Sequence, residues 1–159
     1  KVMIVKLAVS KAVRDMIDYG YTVIKAKTNF DTPPSKEAYQ IIKDMSKFDN
    51  FFFSFRVNEL VCLDSMDCNL MYCDDGAVLT LDVPDDKTFS SGYYNFSDLI
   101  YQLDCAGEDE KDEDYIKYLS TECLKGSISD EEQRKLTCGL VQVLFEEIHL
   151  DWIKSIEYN

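Results

Sequence analysis

The sequence predicts an α+β fold: a small antiparallel sheet over about residues 51–83, packed with helices from both ends and followed by a helical C-terminal third. Three observations carry this. Apolar residues recur at helical spacing before Asn50 and after Phe96, and short alternating apolar runs broken by turn residues fill the middle. The 159 residues hold only six Gly and three Pro, with no Gly/Pro/Ser stretch that would act as a linker. One domain over 1–159 is expected, long enough to bury a core.

Taken in order, Val2–Val9 has two readings, a β-strand feeding a helix at Ser10 or the first turns of one helix. From Ser10 the pattern is clearer, because Ala12, Val13, Met16 and Ile17 share a face opposite Lys11, Arg14, Asp15 and Asp18. Gly20 fits the left-handed residue that closes a helix. Tyr21–Thr28 alternates like a half-buried strand. Pro33-Pro34 leads into a helix from about Ser35 to Lys47, whose stripe is Ala38, Ile41, Ile42, Met45 and Phe48. Strands are expected at Phe51–Val57, Leu60–Leu63, Asn69–Cys73 and Ala77–Val83, with turns at Asn58-Glu59 and Asp74-Asp75-Gly76.

The remainder reads as helical. Ser97 is the expected N-cap of Asp98–Cys105, with Gly107 beyond its end. A helix over about Glu110–Lys125 would turn Tyr115, Ile116, Leu119 and Cys123 inward and stop at Gly126. Ser129-Asp-Glu-Glu132 has capping-box spacing. The helix it opens is expected to carry Leu136, Leu140, Val143, Leu144, Ile148, Trp152 and Ile156 on one side, interrupted by Gly139.

Composition narrows the function. Formal charge is −13 and the pI about 4.4, which argues against direct nucleic-acid binding and against docking to anionic lipid. No apolar run approaches the ~20 residues that span a bilayer. The charge is uneven: residues 1–56 hold ten Lys/Arg against six Asp/Glu, and residues 57–159 hold seven against twenty-four. The halves are therefore +4 and −17. Between Asp85 and Asp114 ten acids face only Lys87 and Lys111.

Catalytic chemistries lack their parts. His149 is the sole histidine, so Glu146-Glu-Ile-His149 cannot supply the repeated Glu-x-x-His of a di-iron bundle. Cys62, Cys68 and Cys73 are spaced too widely for a zinc site, and no C-x-x-C occurs. Aspartates 67, 74 and 75 flank Cys68 and Cys73 and would suppress their thiolates. Together with Asp64 they lack the alternate spacing and distal Glu of a calcium loop. There is no G-x-S-x-G, P-loop or G-x-G-x-x-G. No catalytic residue, metal or cofactor is assigned. Six cysteines without paired ligand motifs are expected to be reduced thiols of a cytoplasmic protein.

The leading feature is Glu108-Asp-Glu-Lys-Asp-Glu-Asp114, six acids in seven residues, followed by Glu122 and by Asp130, Glu131 and Glu132. Acids near a helix start are ordinary complements to its positive end, but six together exceed what capping needs, and their repulsion is costly unless a partner neutralises it. Candidate binding residues are Glu108, Asp109, Glu110, Asp112, Glu113 and Asp114. Tyr93 and Tyr94, in the aromatic run Phe89–Phe96, are candidate anchors. The expected partner is a basic protein: a nuclease, a restriction or CRISPR effector, or a toxin, inhibited by imitation of a phosphate track. In size and acidity the chain is similar to phage anti-defence proteins and bacterial immunity proteins, a likeness of composition with no motif behind it. Two alternatives are a small metal-dependent hydrolase using paired carboxylates, and an interaction subunit docking through a C-terminal helix over Leu140–Ile156.

Overall fold

The computed structural model describes residues 1–27, 36–59, 61 and 73–159. It has α+β architecture, built on a strand from the N-terminal segment. Val2–Val9 is strand β1, and the strand reading of this segment is the correct one. Val5, Leu7 and Val9 are buried while the residues between them are less so, the period of two that a pleated strand imposes. Ser10 then accepts a hydrogen bond from the Val13 N–H (3.4 Å) and opens helix α1, Lys11–Tyr19. Gly20, at φ +97°, closes it.

Strand β2 (Val23–Lys25) and helix α2 (Lys36–Ser46) follow, then β3 (Phe52–Arg56) and β4 (Ala77–Pro84). Strand β5 (Phe89–Gly92) runs directly into helix α3 (Tyr93–Ile100). Helices α4 (Glu113–Tyr118) and α5 (Asp130–Arg134) precede strands β6 (Val141–Phe145), β7 (Glu147–His149) and β8 (Ile153–Tyr158).

The main sheet has six strands in the order β5-β6-β3-β1-β4-β8, every neighbour antiparallel, and β2 pairs with β7 in a separate ribbon. Along β1 and β4, Val5 faces Leu81, Leu7 faces Leu79 and Val9 faces Ala77. These rows meet Ile17 of α1, Ile24 of β2 and Ile148 of β7 in one core. A second core sits where Tyr39 and Ile42 of α2, Phe96 and Leu99 of α3, and Leu119 pack on Phe89 and Leu144. The turn at Asp74-Asp75-Gly76 closes through the Gly76 N–H on the Cys73 carbonyl (2.9 Å). A Cβ at Gly76 would stand 2.0 Å from the Val9 carbonyl oxygen, so only glycine fits. The expected Asn58-Glu59 turn is present too, with the Val61 N–H on the Asn58 carbonyl (3.1 Å).

Three expectations are corrected. The sheet is not confined to residues 51–83, because β1 forms its centre and β5, β6 and β8 supply three more strands. The C-terminal third is not wholly helical, because the helix expected from Ser129 through Ile156 gives way to strands β6, β7 and β8. The capping box is real, with Ser129 accepting from the Glu132 N–H and Glu132 from the Ser129 N–H (both 3.1 Å), but its helix stops at Arg134. A tight turn then places Cys138 at φ +55° and Gly139 at φ +64°. Val141–Phe145 is buried at every position, as an interior strand covered on both faces must be. Apolar residues at 140, 143, 144 and 148 satisfy helical spacing, but the β-branched Val141 and Val143 fit the strand. Finally, Ser97 is not an N-cap: α3 begins four residues earlier, directly after Gly92. The predicted strands Leu60–Leu63 and Asn69–Cys73, Pro33-Pro34 and cysteines 62 and 68 lie outside the described residues, apart from Val61 and Cys73.

Candidate protein-binding surface

Helices α3 and α4 form an antiparallel hairpin whose connecting turn carries the acids. Each helix ends in a single wider turn with i→i−5 bonding, the Ala106 N–H on the Tyr101 carbonyl (3.0 Å) and the Leu124 N–H on the Leu119 carbonyl (3.2 Å). Leu99 and Leu119, both fully buried, clamp the hairpin to the second core. Across it the Tyr115 hydroxyl donates to Asp98 Oδ2 (2.8 Å), and the Asp112 N–H donates to Gln102 Oε1 (3.3 Å). The Asp98 hydrogen bond, followed by burial, pushes the Tyr115 phenol up to about 12.

All six predicted acids are exposed. Glu108, Asp109 and Glu110 occupy the turn. Glu108 pairs with Lys111 (3.2 Å), and Glu110 Oε2 accepts from the Gly107 N–H (3.4 Å). Asp112 caps α4 by accepting from the Tyr115 N–H (3.1 Å), and Glu113 and Asp114 occupy the first helical turn. Lys111 pairs with one of the six, and Lys117 stands in the last turn of α4. Among the described residues, Asp109, Glu113 and Asp114 form no ion pair. Asp104, Asp98 and Glu122, all exposed, lie on the same hairpin.

The two tyrosines separate. Tyr93 is half-buried and packs edge-on against Phe55, ring centroids 5.3 Å apart, so it belongs to the fold. Tyr94 is 42 % exposed, although its ring also touches Tyr93. It stands at the start of α3, roughly 12 Å along the helix from Gln102 by the 1.5 Å rise per residue, and so at the far end from the acidic turn. Tyr101 and Tyr118 are the other well-exposed rings of the hairpin, at 51 % and 54 %; Tyr101 lies toward the acidic turn, while Tyr118 stands with Asn95 beside the start of α3. Sequence reasoning missed both. Tyr101 falls in an expected helix, and its position seven residues after Tyr94, two helical turns on, marks the same outward stripe.

The segment Glu146–His149 is not helical, so the Glu-x-x-His spacing brings no imidazole and carboxylate together one turn apart. In strand β7 Glu147 and His149 share a side instead, with Nε2 and Oε1 2.7 Å apart, and His149 stacks on Trp152 at 4.2 Å. Near them Asp86, Glu146 and Glu147 line a cavity of about 430 Å³, but Lys25 and Lys87 line it too. Among the described residues no three His, Cys, Asp or Glu side chains come together as a metal-binding group. Cys73, Cys105, Cys123 and Cys138 are free, and burial pushes the Cys123 thiol up against the opposing hydrogen bond from Tyr118. The Leu140–Ile156 segment is strand and turn with Val141, Val143, Phe145 and Ile148 in the core, so it presents no docking helix. Among the described residues, no helix is long and apolar enough to cross a membrane.

No family model matches this chain, and no curated protein or solved structure does either. Function rests on the geometry alone.

Proposed function

We propose that this protein is a non-enzymatic acidic binding protein that docks on, and inhibits, a basic nucleic-acid-binding protein through the α3–α4 hairpin. The supporting observation is the exposure of Glu108, Asp109, Glu110, Asp112, Glu113 and Asp114, of which, among the described residues, only Glu108 forms an ion pair, with Lys111. Their negative field is left for a partner. Acids three or four apart on a helix stand about 5–6 Å from one another, and one strand of duplex DNA carries a phosphate about every 3.4 Å. The turn and the two helix ends around it therefore approach the charge density of a phosphate track. Tyr101 and Tyr118, exposed on the same hairpin, are the residue type that anchors an interface core.

The test uses a panel of purified basic nucleases and DNA-binding proteins, each competed between duplex DNA and this protein at low and moderate salt. Wild type is expected to displace DNA from at least one member, with an association rate that falls as salt rises. The triple change Glu110→Lys, Glu113→Lys, Asp114→Lys should keep the circular-dichroism spectrum and lose most of that association rate. Displacement by the triple variant at the wild-type rate, or no displacement by wild type anywhere in the panel, overturns the proposal.

A further inference from the structure

A second feature lies apart from the acidic hairpin, at one edge of the main sheet. Strand β8 pairs with β4 on one side, and among the described residues no strand pairs with it on the other. The Asn159 N–H donates to the Gly76 carbonyl (3.2 Å). Bonding to a given neighbour recurs at every second residue of an antiparallel strand, so Glu157 and Ser155 also turn their backbone groups to β4. The N–H and C=O of Ile156 and Tyr158 therefore point outward, an open template for a further strand.

Two other edges are less open. The outer side of β5 is met by Gly126, whose carbonyl accepts from the Ser90 N–H (2.9 Å). In β2, Thr22 and Ala26 bond to β7, so Tyr21 turns the other way, and its N–H donates to the Met16 carbonyl of α1 (3.1 Å). The end of that helix occupies the flank a new strand would need.

Strand β8 carries a guard of its own. Its register against β4 shifts between Thr80, which faces Ser155, and Leu81, which faces Ile153, so Lys154 is an extra residue with no opposite number. A bulge bearing a lysine is a common defence of an exposed edge, because the charge is stranded beside any strand that brings no acid. Lys154 lies 3.8 Å from Asp82, and Glu157 lies 3.8 Å from Lys6. Asp82 and Lys6 alternate with Leu81 and Val5, so Lys154 and Glu157 share the sheet face away from the first core. Ile156 stands on the core face, half-buried at its margin.

One strand answers that guard, and it is β8 itself. With Ile156 set opposite Ile156 of a second copy about a twofold axis, the two residues exchange both backbone hydrogen bonds. Ser155 then faces Glu157 of the second copy, and Lys154 lies diagonal to that carboxylate, within the reach of a long side chain. Each copy brings the acid that the other's lysine lacks, as a self-complementary contact requires. The two Ile156 side chains meet on the core face. Sliding one copy by two residues toward Tyr158 would instead set Glu157 against Glu157, so charge selects the register.

We propose that this protein forms a homodimer by antiparallel pairing of β8 with β8 of a second copy, which joins the two main sheets into one.

Sedimentation velocity of the full chain, followed from micromolar to near-millimolar concentration, reads the association. Wild type is expected to pass from 18.4 kDa to twice that mass as concentration rises. Amide exchange at Ile156 should slow over the same range, while exchange at Ser155, already bonded to β4, should not change. Lys154→Glu and Glu157→Lys, each at an exposed position, should keep the circular-dichroism spectrum. Each sets like charges against one another across the axis and should weaken self-association about tenfold or more. Mixed in equal amounts, the two variants should form a heterodimer about as tight as the wild-type dimer, because opposite charges then meet at both positions. Ser155→Glu leaves Lys154 and Glu157 in place and should also weaken association, through its like charge against Glu157. The proposal fails if wild type stays monomeric throughout, if a dimer forms without protecting the Ile156 amide, or if the single variants associate as tightly as wild type. It fails equally if the two folded variants remain monomeric when mixed.

Discussion

The Tyr115 hydroxyl sits 2.8 Å from Asp98 Oδ2 and joins the two helices of the acidic hairpin at its middle. The bond uses one carboxylate of the surface for structure and leaves those of the turn to project. Because it holds the phenol in its protonated form up to about 12, against an ordinary 10.0, its contribution to stability is fully present below 10.0. It is lost as pH rises through the folded value. Asp98→Asn should lower the Tyr115 titration toward 10.0 in an ultraviolet difference titration and shift the alkaline unfolding midpoint down. An unchanged phenol titration would mean the bond does not form in solution.

Glu132 has the opposite sign. The Lys125 side chain, at 2.8 Å, and then the Ser129 N–H hold its carboxylate below the ordinary 4.5. A depressed carboxylate stabilises the fold above its unfolded value and loses that contribution as pH falls through the folded one. Glu132→Gln should therefore be less stable than wild type at neutral pH, with the gap closing on acidification below 4.5. Urea midpoints measured across that interval decide it. A gap that does not change with pH would assign the effect to packing.

The hairpin is held by two leucines rather than by its charges. Leu99→Ala removes a side chain with no exposed surface and should cost about 3 kcal/mol, in the range of buried leucine truncations. Tyr94→Ala, at an exposed site, should stay within about 0.5 kcal/mol. Denaturant midpoints with matched slopes are the measurement, and comparable losses at the two positions would contradict the packing described.

Gly76→Ala drives a methyl group toward the backbone oxygen of Val9, 2.0 Å away, where no side chain can yield. A cost of about 3 kcal/mol is expected, the upper end of overpacking. Thermal melts of the two forms would reveal it. A neutral substitution would mean that the turn after Cys73 is not closed as described.

Local signals in this chain were legible wherever one residue decides the matter. Gly20, Ser129 with Glu132, and Asp74-Asp75-Gly76 each act through their own backbone geometry, and all three do what their residue types imply. The acids of 108–114 were legible as exposed for the same reason, since no core could accept six carboxylates. What escaped reading depends on neighbours distant in sequence. Val141–Phe145 is a strand because β3 and β5 flank it, and nothing within the segment announces those partners. Arg56 reads as an ordinary surface cation at the end of a strand, and only register with Val5 and the position of Gln133 reveal it as buried. Tyr93 and Tyr94 look alike in sequence, but packing against Phe55 makes one of them part of the core.

The order β5-β6-β3-β1-β4-β8 has a consequence for how the chain is made. Strand β1 lies in the middle of the sheet, yet both of its partners follow it in the chain, and the outer flanks of those partners wait for β6 and β8. Among the described strands, only β5 and β6 are consecutive along the chain and adjacent in the sheet. Ribosomes extend a chain at about 5–20 residues per second, so β1 spends several seconds as an exposed apolar ribbon before its bed is complete. Pairings this distant in sequence also close slowly. Inside a cell the vulnerable form of this protein is therefore the unfinished one, and a ribosome stalled before Val141 would leave the outer edges of β3 and β4 unpaired.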